Sequence, residues 1–200
     1  MTVSSGDVFR VAQHFEGPEL VEAYNILGLK CTAGTCTDAE LLTAISTWLN
    51  TAYGYIVAVI SDQVTMSEAR VTKMLWSGTE WVVGSLIGSV LNPVTFTETT
   101  DMLPHAVSFV PVSATAKPTS RGRINLFGAG ESEQEDGLWT STAVTAVTNF
   151  IGGIRSALSP GSASLYYAIL GDDGTARTTT SATVGDVPGS QRRRKPGVGI

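Results

Sequence analysis

"TDAELLTAISTWLNTAYGYIVAVI", residues 37–60, decides how this chain folds. Thr37 is followed three residues later by Glu40, the spacing of a capping box, in which the threonine oxygen accepts the N3 amide and the glutamate reaches back to the cap amide. A helix therefore starts at Asp38. Leu41, Ile45, Trp48, Leu49, Ala52, Ile56 and Val59 recur at three- and four-residue steps, giving an apolar face about 20 residues long that can cover a sheet. Thr43, Ser46, Thr47, Asn50, Thr51 and Gly54 interrupt the same run, so the helix is amphipathic and does not span a membrane.

The flanks of this helix read as strands. On its N-terminal side "VFRVAQHFE" (8–16) places Phe9, Val11 and, less cleanly, Gln13 on one face, with Val8, Arg10, Ala12 and His14 on the other. "GPE" turns the chain, and "LVEAYNILGLK" (20–30) completes a hairpin. After the helix, "VTMSEARVTKMLW" (64–76) and "EWVVGSLIGSV" (80–90) form a second hairpin across "SGT".

The second half repeats the order. "HAVSFVPVSATA" (105–116) and "RGRINLFG" (121–128) are strand candidates, and the acidic loop "ESEQEDG" (131–137) follows. Thr140 or Ser141 can cap a second helix, whose apolar face is Ala143, Val144, Val147, Phe150, Ile151, Ile154 and Leu158. "SPGSAS" breaks it, and "SLYYAIL" then meets a strand within "TARTTTSATV" across the turn "GDDG". The expected fold is α+β, with antiparallel, β-sandwich-like sheets covered by two amphipathic helices and the element order ββαββ occurring twice. Residues 1–190 read as one domain and 191–200 as a basic C-terminal arm.

Charge sets the arm apart. The chain holds 13 basic and 18 acidic residues, and only 16% of its residues are charged, below the roughly one quarter of ordinary soluble chains. Such a lightly charged, Ser/Thr/Gly-rich surface is one that other subunits can cover. Setting aside Arg192, Arg193, Arg194 and Lys195 leaves 9 basic against 18 acidic residues, so arm and body differ in sign. "MTVSSGDVFRV" lacks the basic start and apolar core of a signal peptide, which leads us to expect synthesis in a cytoplasm.

Motifs with chemistry are weak throughout. Cys31 and Cys36 bracket "TAGT" and suit a short-loop disulfide or half a metal site, but two reduced thiols in a turn is the simpler reading. A structural zinc would need further ligands, and His14 and His105 are the only histidines. "GAGES" (128–132) lacks the lysine and following helix of a phosphate loop. Glu131, Glu133, Glu135 and Asp136 lack the ordered spacing of a calcium loop, and Asp172 and Asp173 read as a hairpin tip. Ser162 in "PGSAS" is not in a nucleophile elbow. The expectation is a protein with no catalytic, cofactor or metal site.

Taken in order, "GDVFRVAQHFEG", "DMLPHAVSF", "RGRINLFGAGE" leading through "GLWTSTAVTAV", and "QRRRKPGVGI" resemble small structural proteins of viral particles, bacteriophages above all. The resemblance implies a self-assembling virion component, made in the host cytoplasm and residing in the virion. Its implied place is capsid coat or decoration, or else tail tube or connector. The partners it implies are copies of the chain and other virion proteins, with no membrane. In that setting Arg192, Arg193, Arg194 and Lys195 supply charge to an interface, while Val198 and Ile200 insert apolar groups. The competing class is a nucleic-acid-binding accessory protein that uses the same arginines on phosphates.

Overall fold

The structure, a computed structural model, describes residues 2–16, 23–56, 65–94, 106–109, 122–125 and 141–178. In chain order the elements are β1 (Thr2–Ser4), β2 (Val8–Glu16), β3 (Ala23–Ala33), β4 (Thr35–Thr37), α1 (Asp38–Gly54), β5 (Thr65–Trp76), β6 (Trp81–Val94), β7 (Ala106–Phe109), β8 (Gly122–Asn125), α2 (Ser141–Arg155), β9 (Ser164–Leu170) and β10 (Ala176–Thr178). The fold is α+β with antiparallel sheets. Six strands form one sheet in the order β10-β9-β3-β2-β5-β6, while β1 pairs with β4 and β7 with β8.

Helix α1 begins as its sequence dictates. The Thr37 hydroxyl accepts from the Glu40 amide at 3.2 Å, and the Glu40 carboxylate accepts from the Thr37 amide at 2.8 Å. Leu41, Ile45, Trp48, Leu49 and Ala52 are buried along the helix and Ile56 just beyond it, while Val59 lies outside the described residues. In α2, Val147, Phe150, Ile151 and Ile154 are buried, followed by Leu158 past the helix end. The side chains of Ala143 and Val144, and the residue capping α2, lie outside the description.

One face of the six-stranded sheet meets both helices. Phe9, Val11 and Phe15 of β2, Leu27, Leu29 and Cys31 of β3, Ala69 and Val71 of β5, and Leu165, Tyr167 and Ile169 of β9 join the helix side chains in a single apolar cluster. The helices cross where Gly153 faces Ala52, so closely that a Cβ on Gly153 would lie 2.8 Å from the Ala52 Cα. At the same place the Trp48 indole donates to the carbonyls of Gly153 and Ile154 at 3.1 and 3.2 Å. The Gly153 carbonyl also accepts from the Ser156 amide at 3.2 Å, so the indole is a second donor there and caps Ile154 O in the last turn of α2.

The sheet is strongly coiled. Trp76 and Trp81 close the β5–β6 hairpin at one edge, with ring centroids 5.5 Å apart, and Trp81 Nε1 donates to Gly171 O at 2.9 Å beside β10 at the other edge. Register places Trp76 on the same face as Met74, Thr72 and Val8, the face away from the helices. Twist therefore folds one diagonal pair of corners over the helix-free face. Along β6 the ladder accommodates one extra residue at each of three places, and such bulges sharpen local twist.

Two features depart from the sequence reading. Strands β1 and β4, three residues each, were not expected, and they put Val3 opposite Cys36 in the core. Consequently the cysteines are strand residues, Cys31 in β3 and Cys36 in β4, with only the turn at Gly34 between the strands. The proposed boundary at residue 190 lies outside the described residues.

Candidate functional site

Most residues singled out in the sequence lie outside the described residues: Arg192, Arg193, Arg194, Lys195, Val198, Ile200, His105, Glu131, Glu133, Glu135 and Asp136. The remaining candidates can be judged by geometry.

His14 stands on the helix-free face of β2. Ser67 Oγ lies 3.1 Å from its Nδ1, and Glu16 Oε1 lies 3.4 Å from the same nitrogen. A nucleophile relay needs serine and carboxylate on opposite ring nitrogens, so these three residue types do not form one. Both cysteines are free thiols in the core. Burial pushes the Cys31 thiol up, and it pushes Cys36 up to about 11, with Cys31 and Glu40 adding to the shift. Thiols held protonated in this way are poor nucleophiles and poor metal ligands. Among the described residues no three His, Cys, Asp or Glu side chains come together as a metal site.

Asp172 and Asp173 form the β9–β10 turn, as the sequence indicates. Asp173 accepts from the Thr175 amide at 3.1 Å and hydroxyl at 2.6 Å, and pairs with Arg177 at 2.5 Å. The Thr175 bonds foremost, with Arg177 behind them, hold the Asp173 carboxyl below its ordinary value. Ser162 is likewise structural, its hydroxyl donating to Thr35 O at 3.0 Å and accepting from the Thr35 amide at 3.1 Å.

A buried polar group lies between sheet and helix. Tyr53 OH donates to Gln13 Oε1 at 2.5 Å, and Asn25 Nδ2 approaches the same phenol at 3.5 Å. Gln13 and Asn25 are opposite each other across β2 and β3, and all three residues are almost wholly buried. Desolvation holds the Tyr53 phenol far above its ordinary value. Bonds that join β2, β3 and α1 in the core have the chemistry of a register lock.

The remaining surface features are on the sheet. Edge strand β6, "WVVGSLIGSVLNPV", carries no charge over 14 residues, and Val83, Leu86 and Leu91 are 58%, 52% and 71% exposed. Leu75 and Val82, opposite each other near the hairpin tip, are exposed on the other face of the strand pair. On the helix-free face the β2–β5 register sets Arg10 opposite Thr72 and Arg70 opposite Ala12. Sequence reading placed Arg10 on this face through the alternation of β2. It had no means of finding Arg70 beside it, because strand order is not written in either strand.

Comparison with protein-family models, curated proteins and solved structures finds no match to this chain. Among the described residues no helix is long and apolar enough to cross a membrane.

Proposed function

We propose that this chain is a self-assembling structural protein of a virus particle, a coat or decoration component of the capsid, with a tail-tube or connector place as the alternative. The observation that carries the reading is β6. Edge strands of free monomers are ordinarily shielded by charge, proline, shortness or bulges, because their open N–H and C=O groups recruit other strands. Strand β6 is long and uncharged, and neither its three bulges nor Pro93 near its C-terminal end hides Val83, Leu86 or Leu91. A neighbouring copy laid along this edge would pair the open backbone and remove those side chains from water.

The resemblance of the chain to virion proteins supports the same reading. So do its low charge content and the arm bearing Arg192, Arg193, Arg194 and Lys195, which in this role reaches onto a neighbour. The sandwich-like packing and doubled ββαββ order belong to the proposal too. Strand β8 comes against β3, so the β7–β8 hairpin is the element that would supply a second layer.

Light scattering at low and high salt tests the reading. The wild type should have a discrete oligomeric or larger mass at both salts, and Leu86→Lys/Leu91→Lys should reduce it to a monomer with an unchanged melting midpoint. A wild type that stays monomeric at both salts would overturn the proposal.

A further inference from the structure

We propose a further binding site: the helix-free face of the sheet holds the phosphodiester backbone of single-stranded nucleic acid through Arg10 and Arg70. The two arginines are on adjacent strands, two residues out of register, so their Cα atoms are diagonal neighbours about 7–8 Å apart on one face. Neither guanidinium has a hydrogen bond or ion pair among the described residues.

The other described cationic side chains are engaged. Lys73 pairs with Asp7 at 2.7 Å, Arg177 pairs with Asp173, Lys30 reaches Ala176 O at 3.5 Å, and Arg155 is buried. Glu68, two residues before Arg70 on β5, accepts from Ser89 instead of neutralising that arginine. Among the described residues neither guanidinium has an ion-pair partner, and two like charges held side by side are stabilised when an anion arrives. Thr72 stands opposite Arg10 on the same face but is 5% exposed, so the contact rests on the two guanidiniums.

The shape of the face favours a polymer over a free anion. Arg70 is exposed and Arg10 half-buried, positions in which water and salt compete well for a single phosphate or carboxylate. A chain of phosphates engages both forks together and releases counterions at each. Exposed Ile26 lies opposite Ala12 in the cross-strand row of Arg70. An unstacked base of a single strand can lie on this apolar group, whereas a duplex hides its base faces. The net charge of -5 opposes broad polyanion binding and confines the contact to this face and the C-terminal arm.

The test is fluorescence anisotropy of the full chain with labelled oligodeoxythymidylate of roughly 20 nucleotides, titrated over sodium chloride. Arg10→Gln/Arg70→Gln is compared with wild type and with a variant in which Arg192, Arg193, Arg194 and Lys195 are all changed to glutamine. Two lost phosphate contacts should lower the slope of log K against log salt by about 1.4. Affinity at low salt should fall at least tenfold, and the tail variant should still show the dependence on Arg10 and Arg70. The double variant should melt no lower than wild type, since neither side chain has a described partner to lose. The proposal is overturned by no binding at low salt, by an unchanged slope in the double variant, or by polyglutamate competing as well as the oligonucleotide. Assembly is read by light scattering of the wild type and this binding by the Arg10→Gln/Arg70→Gln comparison, so failure of one reading leaves the other standing.

Discussion

Trp81 donates its indole N–H to the carbonyl of Gly171, 90 residues later in the chain and at the opposite edge of the six-stranded sheet. A flat sheet of this order could not make the bond. Twist and three bulges in β6 bring the corners together, and the Trp76–Trp81 pair fills the junction over the β9–β10 turn. One closure therefore ties the last hairpin to the second, and β6 is the outermost strand among those described.

Breaking that closure should cost stability in two separable ways. Trp81→Phe keeps an aromatic ring against Trp76 and removes only the bond to Gly171, an expected loss of about 1 kcal/mol in urea unfolding. Gly174 has φ of 77°, and a Cβ there would lie 2.6 Å from the Trp76 ring. Gly174→Ala combines a strained backbone with a clash and should lose about 2 kcal/mol or more.

The capping box makes a pH prediction as well as a stability one. Thr37→Ala should cost about 1 kcal/mol, measured by denaturant unfolding. Hydrogen bonds from the Thr37 amide and then its hydroxyl hold the Glu40 carboxyl below its ordinary value. Because the folded state favours the ionised form, the stabilisation is present above the unfolded carboxylate pKa and is lost as pH falls through the lowered folded value. Glu40→Gln should flatten the acid limb of the stability profile in that window and leave the neutral region nearly parallel to wild type.

How much of this was legible follows from which signals are local. The start of α1 and its buried face were readable because capping and helical period act within a few residues, and the β5–β6 and β9–β10 turns were readable for the same reason. By alternation Gln13 falls on the face of Phe9 and Val11, where a polar side chain fits the apolar pattern poorly. It is fully buried there because Tyr53 reaches it from α1, a partner 40 residues away. Strands β1 and β4 were missed because three residues carry no periodicity. The pairing of β3 with β9 and of β2 with β5 was also hidden, since several strands of similar pattern can be ordered in many ways. The Arg10–Arg70 pair depends on that order and could not precede it.

The crossing of α1 and α2 at Gly153 predicts a substitution whose sign is contested. Alanine raises helix propensity by about 1 kcal/mol over glycine. Here the added Cβ would meet the Ala52 backbone at 2.8 Å, which no side-chain rotation relieves. The helices must separate, and the Trp48 bonds to Gly153 and Ile154 must stretch with them. Gly153→Ala should therefore be destabilising despite the propensity gain. Gly153→Leu should be worse by a further ~1–3 kcal/mol, with both read as shifts in the urea midpoint.

The Gln13–Tyr53 bond gives the last prediction, because it distinguishes the value of a hydrogen bond from the cost of breaking one. Tyr53→Phe leaves Gln13 Oε1 in the core without its phenolic donor and should cost about 1–3 kcal/mol. Gln13→Met alone leaves the phenol without its acceptor and should cost a similar amount. Removing both exchanges a buried polar pair for apolar contact beside Phe15 and Phe150, so the double variant should be more stable than the sum of the single losses implies. If the losses simply add, the two groups are not coupled and the cluster is not a lock. Alkaline titration supplies an independent check. Burial raises the phenols of Tyr53 and, with a smaller opposing effect from Arg155, of Tyr167 well above their ordinary values. The unfolded state then releases protons that the folded state retains, so stability should fall as pH rises past the unfolded tyrosine pKa of about 10. Followed by tyrosinate absorbance, Tyr53 and Tyr167 should ionise only with unfolding, and Tyr53→Phe should remove its share of that late, cooperative step.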